Sequence, residues 1–189
     1  ESQIREIAKK CDLSFDSIAP LKDEASGRSY WRVSRGKESF VLCYLNPNLG
    51  GHDSFISVAG QLKNHNINVP KIISHHPTIG VTIQNDLGDD DLISLMNDQN
   101  REFLINKSID LLVDIHKADI EGLVHLSSSD LKDQMNKFKY IFCERFLDIS
   151  ADELVNDLIM NALDNLQECP KNNCHFDFER RNLILDEHN

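Results

Sequence analysis

The segment CHFDFERRNLIL, Cys174 to Leu185, sets an Asp and, five positions on, an Asn between an apolar run and a strand-like NLIL. An aspartate can accept a proton from a hydroxyl or orient it, and an asparagine carbonyl oxygen can ligate a hard cation such as Mg²⁺ without adding charge. Those are two parts that phosphoryl transfer asks of a protein. Asp177 is therefore the candidate catalytic base and Asn182 the candidate metal ligand. Arg181 can meet a phosphate or the Asp177 carboxylate bidentately, or pair with Glu179 or Asp186 on the surface. An isolated D-x-x-x-x-N more often caps a turn than performs catalysis, so its place in the chain decides how it is read.

The elements around this loop divide by periodicity. From Ile18 to about Gln84 the signals are those of strands, with RSYWRVS, the turn RGKE around Gly36, and SFVLCYL forming a hairpin. One helix interrupts them, DSFISVAGQLKNH, with Phe55, Val58, Ala59 and Leu62 at helical spacing and Asp53 as its expected N-cap. NINVPKII and IGVTIQN return to extended chain, and DLGDDD breaks it as a connector between lobes. From about Asp91 the pattern is helical, with apolar stripes Phe103/Leu104/Leu111/Leu112/Ile115, Leu131/Met135/Phe138/Phe142/Phe146 and Leu154/Leu158/Ile159/Ala162/Leu166, all expected to be core faces. His116, on the apolar side of the first of these helices, is expected to be packed and hydrogen-bonded. After Pro170, NNCHF and NLILD read as two short strands around the polar loop. The expected architecture is an α+β bilobal fold, a strand-rich N-lobe over 1–86 and a helical C-lobe over 87–189 carrying the loop, with His175, Asp177 and Asn182 facing the cleft.

A chain of 189 residues with 40% apolar content can bury a real core. With 20 Lys and Arg against 31 Asp and Glu, its formal charge of -11 opposes broad binding to nucleic acid or anionic membranes. No apolar run reaches the length of a membrane span, and ESQIREIAKKCDL reads as a charged amphipathic helix, which suits a cytoplasmic protein. The cysteines Cys11, Cys43, Cys143, Cys169 and Cys174 are scattered and odd in number, as expected of reduced thiols. Cys169, Cys174 and His175 lack a second ligand pair at zinc-finger spacing. Beginning at Glu1 and stopping at Asn189 within a strand-like stretch, the chain is expected to lack residues at both ends.

HFDFERRN resembles the catalytic loop His-x-Asp-x-x-x-x-Asn of the aminoglycoside phosphotransferase family of kinase-like enzymes. Within it, the chain is most similar to the bacterial anomeric kinases of N-acetylmuramate and N-acetylglucosamine, through His175, Asp177, Arg181 and Asn182, with Phe176 and Glu179 departing from that pattern. DEASGRSYWRV resembles that branch's phosphate loop, NVPKII its V-P-x-I, and QNDLGDDDL its E-D-L-G-D hinge. The resemblance implies a protein-kinase-like fold binding ATP with Mg²⁺ and moving the γ-phosphoryl group to a small-molecule hydroxyl. It ranks an amino sugar first as acceptor, then an aminoglycoside or other small alcohol. Ser26, Gly27, Arg28 and Ser29 would lay N–H groups and a guanidinium over the phosphates, and Gln84 and Asp86 lie in the hinge that would offer main-chain groups to adenine. Alternatively ASGRS is an ordinary polar turn.

Two departures bear on activity. Cys43 stands where most kinases place the lysine that holds the nucleotide phosphates, with Gln61 near the position of its usual glutamate partner, and Arg28 could supply charge instead. The family's second metal-binding acid lies one hairpin past Asn182, beyond Asn189. A non-catalytic, pseudokinase-like nucleotide-binding module is therefore the rival expectation. The expected partner is a small-molecule substrate, with neither nucleic acid nor membrane; oligomeric state is not legible.

Overall fold

A computed structural model describes residues 2–21, 27–150, 153–169 and 172–185. The chain forms two compact units, Glu1–Ile120 with Asn173–Asn189, and Glu121–Asn172.

The first unit is built on an antiparallel sheet of order β1-β2-β3-β5-β4: β1 (Ser17–Pro20), β2 (Ser29–Arg35), β3 (Glu38–Tyr44), β4 (Ile72–His76) and β5 (Val81–Asn85). The β2–β3 hairpin expected from the alternating sequence is present, with Gly36 at φ +58° in its turn and its N–H donating to Asp16 Oδ2 at 2.6 Å. Alternation then sorts the side chains by face. Ile18, Val33, Leu42, Val81 and Ile83 form a core with Ile4, Ile7 and Ala8 of helix α1 (Ser2–Lys10), the amphipathic helix expected at the start of the chain. Their alternates Val41 and Cys43 on β3, and Thr82 and Gln84 on β5, belong to the opposite face. There Thr82 lies against His52, which is 1% exposed and bonded at 3.1 Å to the Gly80 carbonyl. Gly80 is at φ +68°, and a Cβ there would collide with the Leu45 carbonyl.

Helix α2 (Asp53–Asn64) begins one residue earlier than expected. His52, not Asp53, is its N-cap residue and makes no side-chain capping bond, because its ring is spent on Gly80 and Thr82. Helix α3 (Leu92–Leu95) is a single turn capped by Asp91, whose Oδ1 accepts from Ser94 N at 2.8 Å. Helix α4 (Arg101–Lys117) buries Leu104 and Ile115. Phe103 and His116, expected to be packed, are exposed: the buried stripe is narrower than the apolar one, and His116 neighbours it on the solvent side. Ile67, Ile115 and Ala118 form a second core with Leu62 of α2, Val69, Leu111, Ile120 and Phe178.

In the second unit, α5 (Ser128–Lys137) starts with a capping box in which Ser127 and Asp130 each accept from the other's backbone N–H. It runs into a π-helical stretch, Phe138–Phe146, and is followed by α6 (Glu153–Glu168). The expected core stripes are only partly realised. Phe138, Phe142 and Phe146 stack on one another at 5.2 and 5.8 Å on an exposed face, and Leu154, Leu158 and Leu166 are exposed while Ile159 and Leu163 are buried. A stripe read at 3.6 residues per turn loses its register where the helix widens.

Candidate active site

The loop from Asn173 to Leu185 is fastened at both ends. Asn173 Nδ2 donates to the carbonyls of Ile115 at 2.9 Å and Ala118 at 2.6 Å, satisfying acceptors that the end of α4 leaves without helical partners. Phe178 inserts into the second core, and His175 meets its ring edge-on at 5.7 Å. At the far end, Leu92 N–H donates to Leu183 O at 3.0 Å and Leu185 N–H to Asp90 O at 2.9 Å, with Asp91 and Ile184 bridged antiparallel. The two strands expected around the loop are thus reduced: NNCHF is irregular, and NLILD has this bridge alone among the described residues. Side-chain anchors at one end and a short backbone pairing at the other replace a ladder.

Between those anchors the backbone is unusual. Phe176 sits at φ +64° with 74% of its surface exposed, a left-handed conformation costly for a bulky residue, and it turns the chain immediately before Asp177. A 3-10 turn, Arg180–Asn182, follows. Asn182 Nδ2 donates to Asp177 twice, to the backbone carbonyl at 2.9 Å and to Oδ2 at 2.8 Å. Both neighbours accept, which fixes the orientation of the amide and leaves Asn182 Oδ1 as its acceptor end. Arg181 takes the surface alternative: Nε and Nη2 lie 2.8 and 2.7 Å from Glu179 Oε1. Glu179, with smaller contributions from Asp177 and Asp91, holds the Arg181 guanidinium above the ordinary arginine value.

Asp177, Glu179, Arg181 and Asn182 line a cavity of about 900 Å³ together with the expected hinge residues Gln84, Asn85, Asp86, Leu87 and Gly88. Its apolar wall is Leu21, Tyr30, Val41, Pro70 and Leu87. Gly27, at φ +74°, with Arg28 and Ser29 leads into β2, and none of the three lines this cavity; Ser26 lies outside the described residues. The structure therefore brings the expected hinge and the Asp–Asn loop together, and leaves the described part of the expected phosphate loop at the start of β2.

Arg32, absent from the sequence-derived site, organises the hinge. Its Nε and Nη2 hold both oxygens of Asp86 at 2.6 and 3.0 Å, and its Nη1 and Nη2 hold both oxygens of Asp89 at 2.7 and 2.9 Å. The Asp86 side chain is only 6% exposed, and its Oδ1 also accepts from Gly88 N–H at 3.0 Å. Burial pushes the Asp86 carboxyl up, but the hydrogen bonds from Arg32, Gly88 and Ser39 outweigh it and hold the group below the usual carboxylate value. The Asp86 carboxylate is thus committed to Arg32 and Gly88, so that at Asp86 the main chain is what is left for a ligand. The acidic run Asp89–Asp91 of the expected connector likewise has tasks: Asp89 pairs with Arg32, Asp91 caps α3, and the Asp90 carbonyl receives Leu185.

Cys43 is buried, paired across the sheet with Tyr30 on β2 and Thr82 on β5. Beyond Thr82, His52 is held below the ordinary histidine value, first by burial and also by the charges of Arg28 and His75, against the opposing pull of Gly80 and Asp53.

A five-stranded antiparallel sheet whose hinge and helix-anchored Asp–Asn loop close on one cavity has the architecture of kinase-like phosphotransferases, and the fold is the protein-kinase-like α+β fold. The chain belongs to the phosphotransferase enzyme family, whose pattern matches residues 17–189. It is similar to the N-acetylmuramate/N-acetylglucosamine kinase of Pseudomonas aeruginosa, 25% identical over 181 residues, covering 91% of this chain and 52% of that protein. Among solved structures it is similar to the choline kinase LicA of Streptococcus pneumoniae, with a TM-score of 0.65 at 13% identity, covering 100% of this chain and 65% of that one. It is also similar to a spectinomycin phosphotransferase in complex with ADP and spectinomycin, with a TM-score of 0.63 at 14% identity, covering 97% and 64%. The chain spans about half the length of the curated relatives it matches. Among the described residues no helix is long and apolar enough to cross a membrane.

Proposed function

We infer that the protein is an ATP-dependent phosphotransferase that moves the γ-phosphoryl group onto a small-molecule hydroxyl, with an amino sugar of the N-acetylmuramate or N-acetylglucosamine type as acceptor. One observation carries this: Asp177, tied to Asn182 at 2.8 Å, shares a cavity of about 900 Å³ with the hinge. Residues 1–86 would supply the nucleotide-binding part and 87–189 the catalytic loop. The apolar wall of Leu21, Tyr30, Val41, Pro70 and Leu87 suits a flat base, with the hinge main chain at its edge. Gly27, Arg28 and Ser29, with Ser26, would approach the phosphates.

Asp177 Oδ2 accepts from Asn182, so Oδ1 is the oxygen left to orient an acceptor hydroxyl and take its proton. The donor set fits a hard cation, since Asn182 presents a neutral oxygen with both amide hydrogens committed, and Asn182 would hold Mg²⁺. When bound, Mg²⁺ supplies charge neutralisation on the phosphate oxygens. Arg181, paired with Glu179, would meet a phosphate by swinging from that partner.

The amino-sugar acceptor is favoured by the similarity to the kinases named above, and by the order of the DEASGRSYWRV, NVPKII, QNDLGDDDL and HFDFERRN segments along the chain. The test is an ATP-consumption assay of the intact natural protein with amino sugars, aminoglycosides and choline-like alcohols. Turnover with amino sugars is the expected result; turnover only with another class would move the acceptor. A second possibility, nucleotide binding without transfer, is favoured by the buried thiol of Cys43, and ATP binding without turnover of any acceptor would establish it.

A further inference from the structure

Gln84 is 9% exposed and lines the cavity, yet its Oε1 is buried with no hydrogen-bond partner among the described residues. Buried acceptors in native proteins are paired, so a buried orphan on a cavity-lining side chain points to a donor arriving from outside the chain. The sheet register shows where. Gln84 pairs across the sheet with Val41 on one side and Ile72 on the other. Val41 in turn neighbours Arg32 and is diagonal to Tyr30, while Asn85 exchanges hydrogen bonds with Lys71, the residue after Pro70. Gln84 thus sits at the apolar end of the cavity, between the wall that suits a flat base and the start of the hinge, and on the same sheet face as Cys43 and Thr82.

We propose that the Gln84 carboxamide is the nucleobase-selecting residue, its Oε1 accepting a hydrogen from the exocyclic amine at position 6 of a purine. The inference rests on the nucleotide-binding function above and adds to it a side-chain determinant of which base is taken. An acceptor there rewards the 6-amino group of adenine, leaves a 6-hydrogen unrewarded, and faces the oxygen of a 6-oxo purine with like polarity.

The experiment is calorimetric titration of the intact natural protein with Mg²⁺ and three nucleotides: ATP, purine riboside 5′-triphosphate, which carries only hydrogen at position 6, and GTP. The protein should bind ATP about 10-fold or more tightly than purine riboside triphosphate, the value of one hydrogen bond whose loss leaves a buried acceptor unpaired. Gln84→Leu should bring those two within about 2-fold, through loss of ATP affinity, while Gln84→Glu, which keeps an acceptor oxygen, should retain the preference. Equal affinity for ATP and purine riboside triphosphate in the unmodified protein overturns the role of Gln84 and leaves nucleotide binding standing. Failure to bind any of the three removes both. Should Gln84→Leu not fold, the unmodified protein's ratio and the Gln84→Glu variant decide the matter.

Discussion

Asn182 donates both hydrogens of its amide to Asp177, one to the backbone carbonyl at 2.9 Å and one to the carboxylate at 2.8 Å. The candidate metal ligand thereby also fixes the orientation of the candidate base. Asn182→Ala should weaken Mg·ATP binding and lower turnover together, each by about 10-fold or more, because it removes a ligand and an orienting bond at once. Calorimetry with and without Mg²⁺ separates the two: ATP binding in EDTA should be the same in variant and parent. An equal loss of affinity in EDTA would place Asn182 outside the metal site.

Arg32 offers a test of the hinge that does not depend on catalysis. Arg32→Met leaves the Asp86 carboxylate nearly buried and without its main partner, and should cost about 1–3 kcal/mol in urea unfolding. Asp89→Asn, at the exposed end of the same guanidinium, should cost under about 1 kcal/mol. Equal effects would mean that burial does not distinguish the two carboxylates.

His52 gives the stability a pH dependence. Its folded pKa is lowered, chiefly by burial, so the unfolded chain takes up this proton more readily than the native one. The contribution is complete above the unfolded value of about 6.5 and is lost as pH falls below it. Between pH 7.5 and 5.5 the protein should lose stability on this account with a slope no steeper than about 1.4 kcal/mol per pH unit. His52→Gln can still donate to Gly80 O but does not titrate, and should flatten that slope. Parallel slopes in variant and parent would assign the dependence to other groups.

Some of this was legible in the residues and some was not, for identifiable reasons. The β2–β3 hairpin was, because alternation and Gly36 are local signals. Asp177 and Asn182 stood out by type and by a five-residue spacing within one loop, whereas the hydrogen bonds between them did not. The Arg32–Asp86 tie was not: its partners are 54 positions apart, and only the sheet brings them together. Asn173 escaped notice similarly, since its targets are carbonyls at the end of α4. Asp53 was expected to cap α2 on residue type, whereas the N-cap is His52, whose ring bonds to Gly80, just before β5, and to Thr82 within it. The apolar stripe Phe138/Phe142/Phe146 misled as to burial because these rings stack on one another in a π-helical stretch.

Cys43 tests whether the strand position usually given to lysine has been vacated. Cys43→Ala removes a buried sulfur facing Thr82 and no charge, so turnover should stay within about 3-fold of the parent even if stability falls. A loss of about 100-fold would give the thiol a part in the chemistry.

The most direct measurement is turnover of Asp177→Asn against nucleotide affinity in the same preparation. The substitution keeps the shape of the side chain while removing its charge and its capacity to take a proton. Turnover should fall by about 10²- to 10⁴-fold, the usual contribution of a positioned base, with ATP affinity changed less than about 3-fold because the proposed role of Asp177 is toward the acceptor and not the nucleotide. Near-parental phosphotransfer by Asp177→Asn, in a preparation whose parent is active, would make HFDFERRN a structural turn and contradict the proposed mechanism.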